Sequence, residues 1–250
     1  MRIDIMTLFP EMFEPVIATS IIGRARAADK LDIRCHHIRD YTLDKHGRTD
    51  FPPFGGGKGM LMAADPIYNC HQSIMLQTEA KPHTIYMTPK GHLLTQQRVA
   101  ELAQMPNICI LCGHYEGVDQ RIIDEIVDEE ISVGDYVLTG GELPALILAD
   151  AVARLCEGVL AEDICWQDES HSEGLLEYPH YTKPAEWRGK NVPEVLTSGH
   201  HANIARWRRE QSLLKTLEMR PELLESAELD KTDREFIKQH IIEKTAPKEK

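Results

Sequence analysis

Three glycine-bearing stretches of this 250-residue chain have the composition to hold a ligand against the main chain: TPKG at 88–91, GHYEG at 113–117 and VGDYVLTGG at 133–141. Glycine lacks a Cβ, so it permits tight turns and close approach of main-chain N–H and C=O groups to a bound molecule. Each stretch ends or interrupts an apolar run that reads as a strand. In an open parallel sheet such turns fall along one edge, where these folds gather ligands. Three of them together predict a bound adenosine-like cofactor. The third turn opens into a long apolar helix with Pro144 in its first turn, where the missing N–H costs nothing.

Spacing excludes several other chemistries. GGGKG at 55–59 is not a phosphate-binding P-loop, because Gly59 follows Lys58 where Ser or Thr is required. No G-x-G-x-x-G follows the first predicted strand, which disfavours a dinucleotide. The six cysteines (35, 70, 109, 112, 156, 165) form no disulfide framework. Cys109 and Cys112 have C-x-x-C spacing inside the run ICILC, but residues three apart on a strand point to opposite faces. They are predicted as core residues rather than metal ligands.

The elements that must position these turns alternate along the chain. Strands are predicted over 2–9, 31–38, 83–88, 108–112 and from 131, the last breaking at Gly134 and resuming through Tyr136–Leu138. Helices are predicted over 20–28 (capped by Thr19 or Ser20), 65–75 (capped by Asp65), 94–103, 119–128 and 142–157, the last stopped by Gly158. Between them, 39–60 reads as a long functional loop. Strand–helix alternation predicts an α/β fold, a parallel sheet with helices on both faces. The polar segment from Gly158 to Gly174 reads as a linker. Beyond it, Ile204, Trp207, Leu214 and Leu217 share one helical stripe flanked by Arg208 and Lys215, which predicts a small helical domain with a basic shoulder. The expected organisation is a ligand-binding domain over 1–159, a linker over 160–175 and a helical domain over 176–250.

Hydrophobic (42%) and charged (27%) fractions are those of a soluble globular protein. No apolar run approaches the ~20 residues that span a bilayer. The start, MRIDIMTLFP, reads as a strand rather than a signal peptide, so a cytoplasmic location and no membrane partner are expected. A net charge of −12 argues against a protein that coats nucleic acid everywhere. Yet Tyr181–Arg220 carries eight Lys/Arg against four Glu, a local balance that suits a polyanion.

Several segments together resemble the bacterial tRNA (guanine-N1)-methyltransferases of the SPOUT class. They are LFPEMF (8–13), GGGKGM (55–60), TPKG, LCGHYEGVDQR (111–121), SVGDYVLTGGELPALILADAVAR (132–154), SEGLLEYPHYTKP (172–184) and RWRREQSL (206–213). They are collinear and span nearly the whole chain. The resemblance implies a SPOUT-type sheet with a deep trefoil knot that binds S-adenosylmethionine, plus the helical C-terminal domain for tRNA. It also implies a homodimer with active sites at the interface, and methylation of the guanine immediately 3′ of the anticodon where another guanine precedes it. Strand order alone would have predicted an unknotted sheet.

Carried over residue by residue, the resemblance places Tyr86, Pro89, Gly91, Gly113, Tyr115, Gly117, Val133, Gly134, Asp135, Tyr136, Val137, Leu138, Gly140, Gly141 and Pro144 at the cofactor. Guanine N1 carries a proton, so it needs a base to remove it and a cation to stabilise the charge that spreads onto O6. Arg154 matches the family's arginine. The family's general base is an aspartate immediately before Ser170, where this chain has Glu169, with Asp168 just ahead. Glu169 is the preferred base and Asp168 the alternative. Lys58 stands where the family loop often has proline, and Asp50 matches a family loop aspartate. The resemblance also suggests that Mg²⁺ assists, at a site that no cluster in the sequence identifies.

Overall fold

Alternating side chains of Arg2–Thr7 make strand β1, whose Ile3 and Ile5 face one layer of helices while Met6 faces the other. The structure, a computed structural model, describes residues 1–160, 169–171 and 174–245. It separates into two units, Met1–Asp163 and Ile164–Lys250. In the first, β1 is followed by the helices α1 (Glu14–Ile17) and α2 (Ser20–Ala27), then strand β2 (Asp32–His37). A two-stranded hairpin, β3 (Asp50–Phe51) with β4 (Leu61–Met62), flanks the GGGKG segment and leads into α3 (Ala64–Met75). Strand β5 (His83–Leu93), α4 (Gln96–Ala103), β6 (Asn107–Cys112), α5 (Gln120–Ile126), β7 (Glu129–Ser132) and α6 (Glu142–Ala153) complete the unit.

The five long strands form one parallel sheet in the order β2-β1-β6-β5-β7. Helices α1, α2, α4 and α6 cover one face around Phe13, Leu102, Leu148 and Val152, and α3 and α5 cover the other around Ile67, Ile74 and Ile122. The predicted α/β architecture is the observed one. Cys109 and Cys112 lie in opposite faces of the core, as their spacing requires, and burial pushes both thiols well above the ordinary range. Cys165 lies outside the described residues.

Four sequence expectations are corrected here. TPKG is not a turn that ends a strand, because β5 continues to Leu93 and TPKG is an insertion within it. Pairing with β7 runs to Met87↔Ile131, then resumes at His92↔Ile131. Tyr136–Leu138 is not a strand. It has β-forming residue types but no pairing partner, and it is an exposed loop in which Val137 is 81% accessible. Helix α6 ends at Ala153 with Arg154 as its cap, short of Gly158. Asp65 lies in the first turn of α3, whose cap position is Ala63.

The second unit contains a short hairpin, β8 (Glu186–Trp187) with β9 (Lys190–Asn191), and helices α7 (Glu194–Thr197), α8 (His201–Met219), α9 (Leu223–Ser226) and α10 (Lys231–Thr245). The fully buried face of α8 is Ser212, Leu213 and Thr216, while Ile204, Trp207, Leu214 and Leu217 are half-buried. Thr216 explains the offset: its hydroxyl accepts the Leu176 N–H at 2.9 Å, which fastens the incoming chain to this face.

Candidate functional site

The TPKG insertion of β5 and the loops that follow β6 and β7 lie on one edge of the sheet and enclose a cleft of about 440 Å³. That volume is within the range of small-ligand sites. Its walls are peptide backbone pressed against peptide backbone. Gly141 N–H donates to Gly113 C=O at 2.7 Å, and His114 bridges Gly140 in antiparallel fashion. A Cβ on Gly141 would stand 2.8 Å from both Cys112 Cα and Gly113 N, and one on Gly113 would stand 2.8 Å from the Tyr86 ring. Glycine is therefore demanded by close approach at both positions.

A third loop closes the rim. Glu116 N–H donates to Met60 C=O at 3.1 Å and Met62 N–H to Gly117 C=O at 2.9 Å, so the β3–β4 hairpin is tied to the 113–117 loop. Tyr115, at the crest of that loop, has φ +59°, a left-handed conformation that a bulky residue adopts at a cost. It is braced by an edge-on contact with His114, ring centres 5.0 Å apart. Below the rim lies a buried carboxylate that the sequence did not flag. Glu142, only 2% exposed, accepts the Thr7 hydroxyl at 2.9 Å and lies 3.7 Å from His114 Nδ1. It joins β1 and the start of α6 to the glycine loops.

Of the fifteen residues expected at the cofactor, thirteen line this cleft: Tyr86, Pro89, Gly113, Tyr115, Gly117, Val133, Gly134, Tyr136, Val137, Leu138, Gly140, Gly141 and Pro144. Gly91 and Asp135 do not. Gly91 instead sits where a Cβ would strike the backbone of Glu130 and Ile131, so it allows β5 to pass close to β7. Asp135 points outward on the exposed 133–141 loop. Lys90, His114, Glu116, Glu130 and Thr139 also line the cleft and were missed. For Lys90, His114, Glu116 and Thr139 the signal was adjacency to a glycine; Glu130 on β7 and Leu61 from the hairpin had none. Burial, reinforced by the Glu130 charge, raises the Tyr86 phenol above its ordinary range, so it stays neutral.

Arg154 caps the far end of α6, its N–H donating to Asp150 C=O at 3.1 Å, and does not line the cleft. Glu169 belongs to the second unit, beside Ser170, whose Oγ accepts the Glu177 N–H at 3.0 Å. Asp168 and most of the 160–175 segment lie outside the described residues. Among the described residues no group of three or more His, Cys, Asp or Glu is gathered as a metal site, and no helix is long and apolar enough to cross a membrane.

A parallel α/β sheet with a main-chain-walled cleft at its carboxyl edge defines a ligand-binding class in which loops, rather than side-chain clusters, do the recognition. Comparison with known proteins narrows that class. The chain belongs to the tRNA (guanine-N1)-methyltransferase family: the family model described as tRNA (Guanine-1)-methyltransferase TrmD matches residues 1–226. It is 54% identical to the tRNA (guanine-N(1)-)-methyltransferase of Ruminiclostridium cellulolyticum, over 89% of this chain and 96% of that protein. Enzymes of the same name from Alkaliphilus metalliredigens (50% identical, 95% and 97% covered) and Bacillus cereus (46%, 96% and 98%) are similar along their whole length.

Proposed function

We propose that the chain uses S-adenosylmethionine to methylate N1 of the guanine immediately 3′ of the anticodon in tRNA. The observation that carries this reading is the meeting of the TPKG insertion of β5 with the loops that follow β6 and β7 around one cleft, in a chain whose relatives bear that enzyme name. The cleft fits the cofactor in two respects. Gly113 and Gly141 leave walls of bare peptide, suited to reading an adenine edge by main-chain hydrogen bonds. Lys90, Glu116 and Glu130 all line the cleft, which suits a ligand that carries both a carboxylate and cationic groups. When bound, the cofactor supplies an already activated sulfonium methyl. The thirteen lining residues would hold it.

The chain must then do two things: remove the N1 proton and stabilise charge on O6. Glu169 is the carboxylate assigned to the first task, with Asp168 beside it as the alternative, and Arg154 is assigned to the second. Arg154 sits about 15 Å along α6 from Pro144, which lines the cleft, at 1.5 Å per residue over ten residues. One copy therefore does not bring its arginine to its own cleft. A homodimer that sets one copy's Arg154 and Glu169 over the other's cleft completes the site. Leu143 and Ile147, one turn apart and exposed on α6, with exposed Val137, supply an apolar surface for that contact.

The SPOUT-type trefoil knot belongs to the same reading. Its support is that the chain leaving β7, at the sheet edge, returns past β5 to press Gly140–Gly141 against the end of β6. The second unit is assigned to tRNA, cytoplasmic work follows from that substrate, and Mg²⁺ is assigned an assisting role. The test is turnover on an unmodified tRNA transcript, with and without the guanine that precedes the target. Wild-type activity should depend on that guanine and should fall at least a hundredfold in Glu169→Ala. If Asp168→Ala falls instead, the base is Asp168. If neither falls, the general-base assignment is wrong.

A further inference from the structure

The β8–β9 hairpin is the most exposed secondary structure of the second unit. Every residue from Tyr181 to Asn191 is exposed, including Trp187 at 57%. A two-stranded ribbon with no covered face is marginal in water, and an exposed tryptophan on it contributes nothing to a core. Yet the two strands of this ribbon are paired along their whole length. Trp187 pairs with Lys190, Glu186 pairs with Asn191, and Val192 N–H donates to Ala185 C=O at 2.9 Å.

Its two-residue turn is Arg188-Gly189, with φ +51° and +76°. Both central residues at positive φ give the turn whose twist matches a hairpin, and Asn-Gly or Gly-Gly is the usual composition. Arginine at the first position is strained there. In that conformation the Arg188 guanidinium lies over the Trp187 ring, 4.9 Å from its centroid. The result is a flat, cationic, solvent-facing stack with Lys190 beside it. Over 181–192 the charge is three positive (Lys183, Arg188, Lys190) against one negative (Glu186), a net +2 in a chain of net −12.

We propose that this hairpin is an RNA-gripping arm: Trp187 and Arg188 stack on an unpaired base of the tRNA, and Lys190 meets a neighbouring phosphate. An aromatic ring and a guanidinium plane are the two side-chain surfaces on which splayed bases stack, and both are already assembled here. The inference rests on tRNA being the substrate, as proposed above.

The experiment titrates an unmodified tRNA transcript into the full-length protein and its variants over a range of salt. Trp187→Ala should weaken tRNA binding about tenfold, and Trp187→Leu should behave alike, because a bulky aliphatic does not stack. Trp187→Phe should stay within about threefold of wild type. Lys190→Ala should lower the salt slope of binding by about one ion, whereas Arg188→Ala, which removes one plane of the stack, should weaken binding about fivefold. S-adenosylmethionine affinity and thermal midpoint should be unchanged in all of them. If wild type binds and methylates tRNA but Trp187→Ala binds it equally well, the arm is refuted while the proposed function stands. A fall in molar mass of Trp187→Ala by light scattering would instead make the hairpin a contact between copies, which also overturns it. Wild type that does not bind tRNA would overturn both readings.

Discussion

Replacing Gly141 by alanine tests the cleft at its tightest point. Gly141 has φ −80°, which alanine adopts freely, so the entire effect is steric. The new Cβ would stand 2.8 Å from Cys112 Cα and Gly113 N, and 3.1 Å from Cys112 C. Ordinary contact begins at about 3.5 Å, so the two backbone segments must part by roughly 0.7 Å. No side chain can swing aside to relieve this. Overpacking of this kind costs about 1–3 kcal/mol. Lengthening the 2.7 Å Gly141–Gly113 hydrogen bond adds about 0.5–1.5 kcal/mol, for a total of roughly 2–4 kcal/mol. Because the same two strands wall the cleft, S-adenosylmethionine should lose at least ~30-fold in affinity, the equivalent of about 2 kcal/mol. Calorimetric titration of the cofactor, with a denaturant midpoint on the same samples, measures both. An unchanged midpoint would refute the close packing of the two loops. A lowered midpoint with cofactor affinity within threefold of wild type would show that the cofactor binds elsewhere.

Other outcomes follow from the same geometry. Gly113→Ala meets the Tyr86 ring rather than backbone, so it should cost only about 1–3 kcal/mol of cofactor binding, measured by the same titration. Arg154→Ala should lower turnover about 10²–10³-fold without weakening cofactor binding, seen as a fall in kcat at unchanged cofactor affinity. Asp4 is fully buried. Burial alone would raise its carboxyl, but His36 at 2.7 Å and Arg2 at 2.8 Å outweigh that and hold it below the ordinary aspartate range. A depressed folded value means stability that is present above the unfolded value and lost as pH falls through the folded one. Resistance to denaturant should therefore fall as pH drops below the ordinary aspartate range, with a shallower fall in Asp4→Asn. Asp233→Ala should cost about 1–3 kcal/mol in thermal or chemical unfolding and leave cofactor affinity unchanged, because it removes the carboxylate that Arg209 meets at 2.8 Å between α8 and α10.

The parallel sheet and the glycine cleft were legible because local pattern encodes them. Strand–helix alternation sets the layers, and a glycine where a Cβ has no room leaves a mark in the sequence. Partners distant in the chain left no such mark. The resumption of β5 at His92 depends on Ile131, about forty residues away, so TPKG looked like an ending. Arg209 reads as part of a basic shoulder until Asp233 is found against it, and Arg206 is likewise paired to Glu210, leaving Arg208, stacked over Tyr178, in a different role from its neighbours. Thr7 and Glu142 meet across 135 residues, and neither type suggests the other. The proposed catalytic residues were legible only through the family resemblance, because Arg154 and Glu169 share no periodicity with the cleft.

The most direct test of the whole account is nucleoside analysis of an unmodified tRNA transcript incubated with the wild-type chain and isotopically labelled S-adenosylmethionine. The account predicts label in N1-methylguanine alone, at the position immediately 3′ of the anticodon. Label on another atom or another nucleotide, or no label at all, would contradict it.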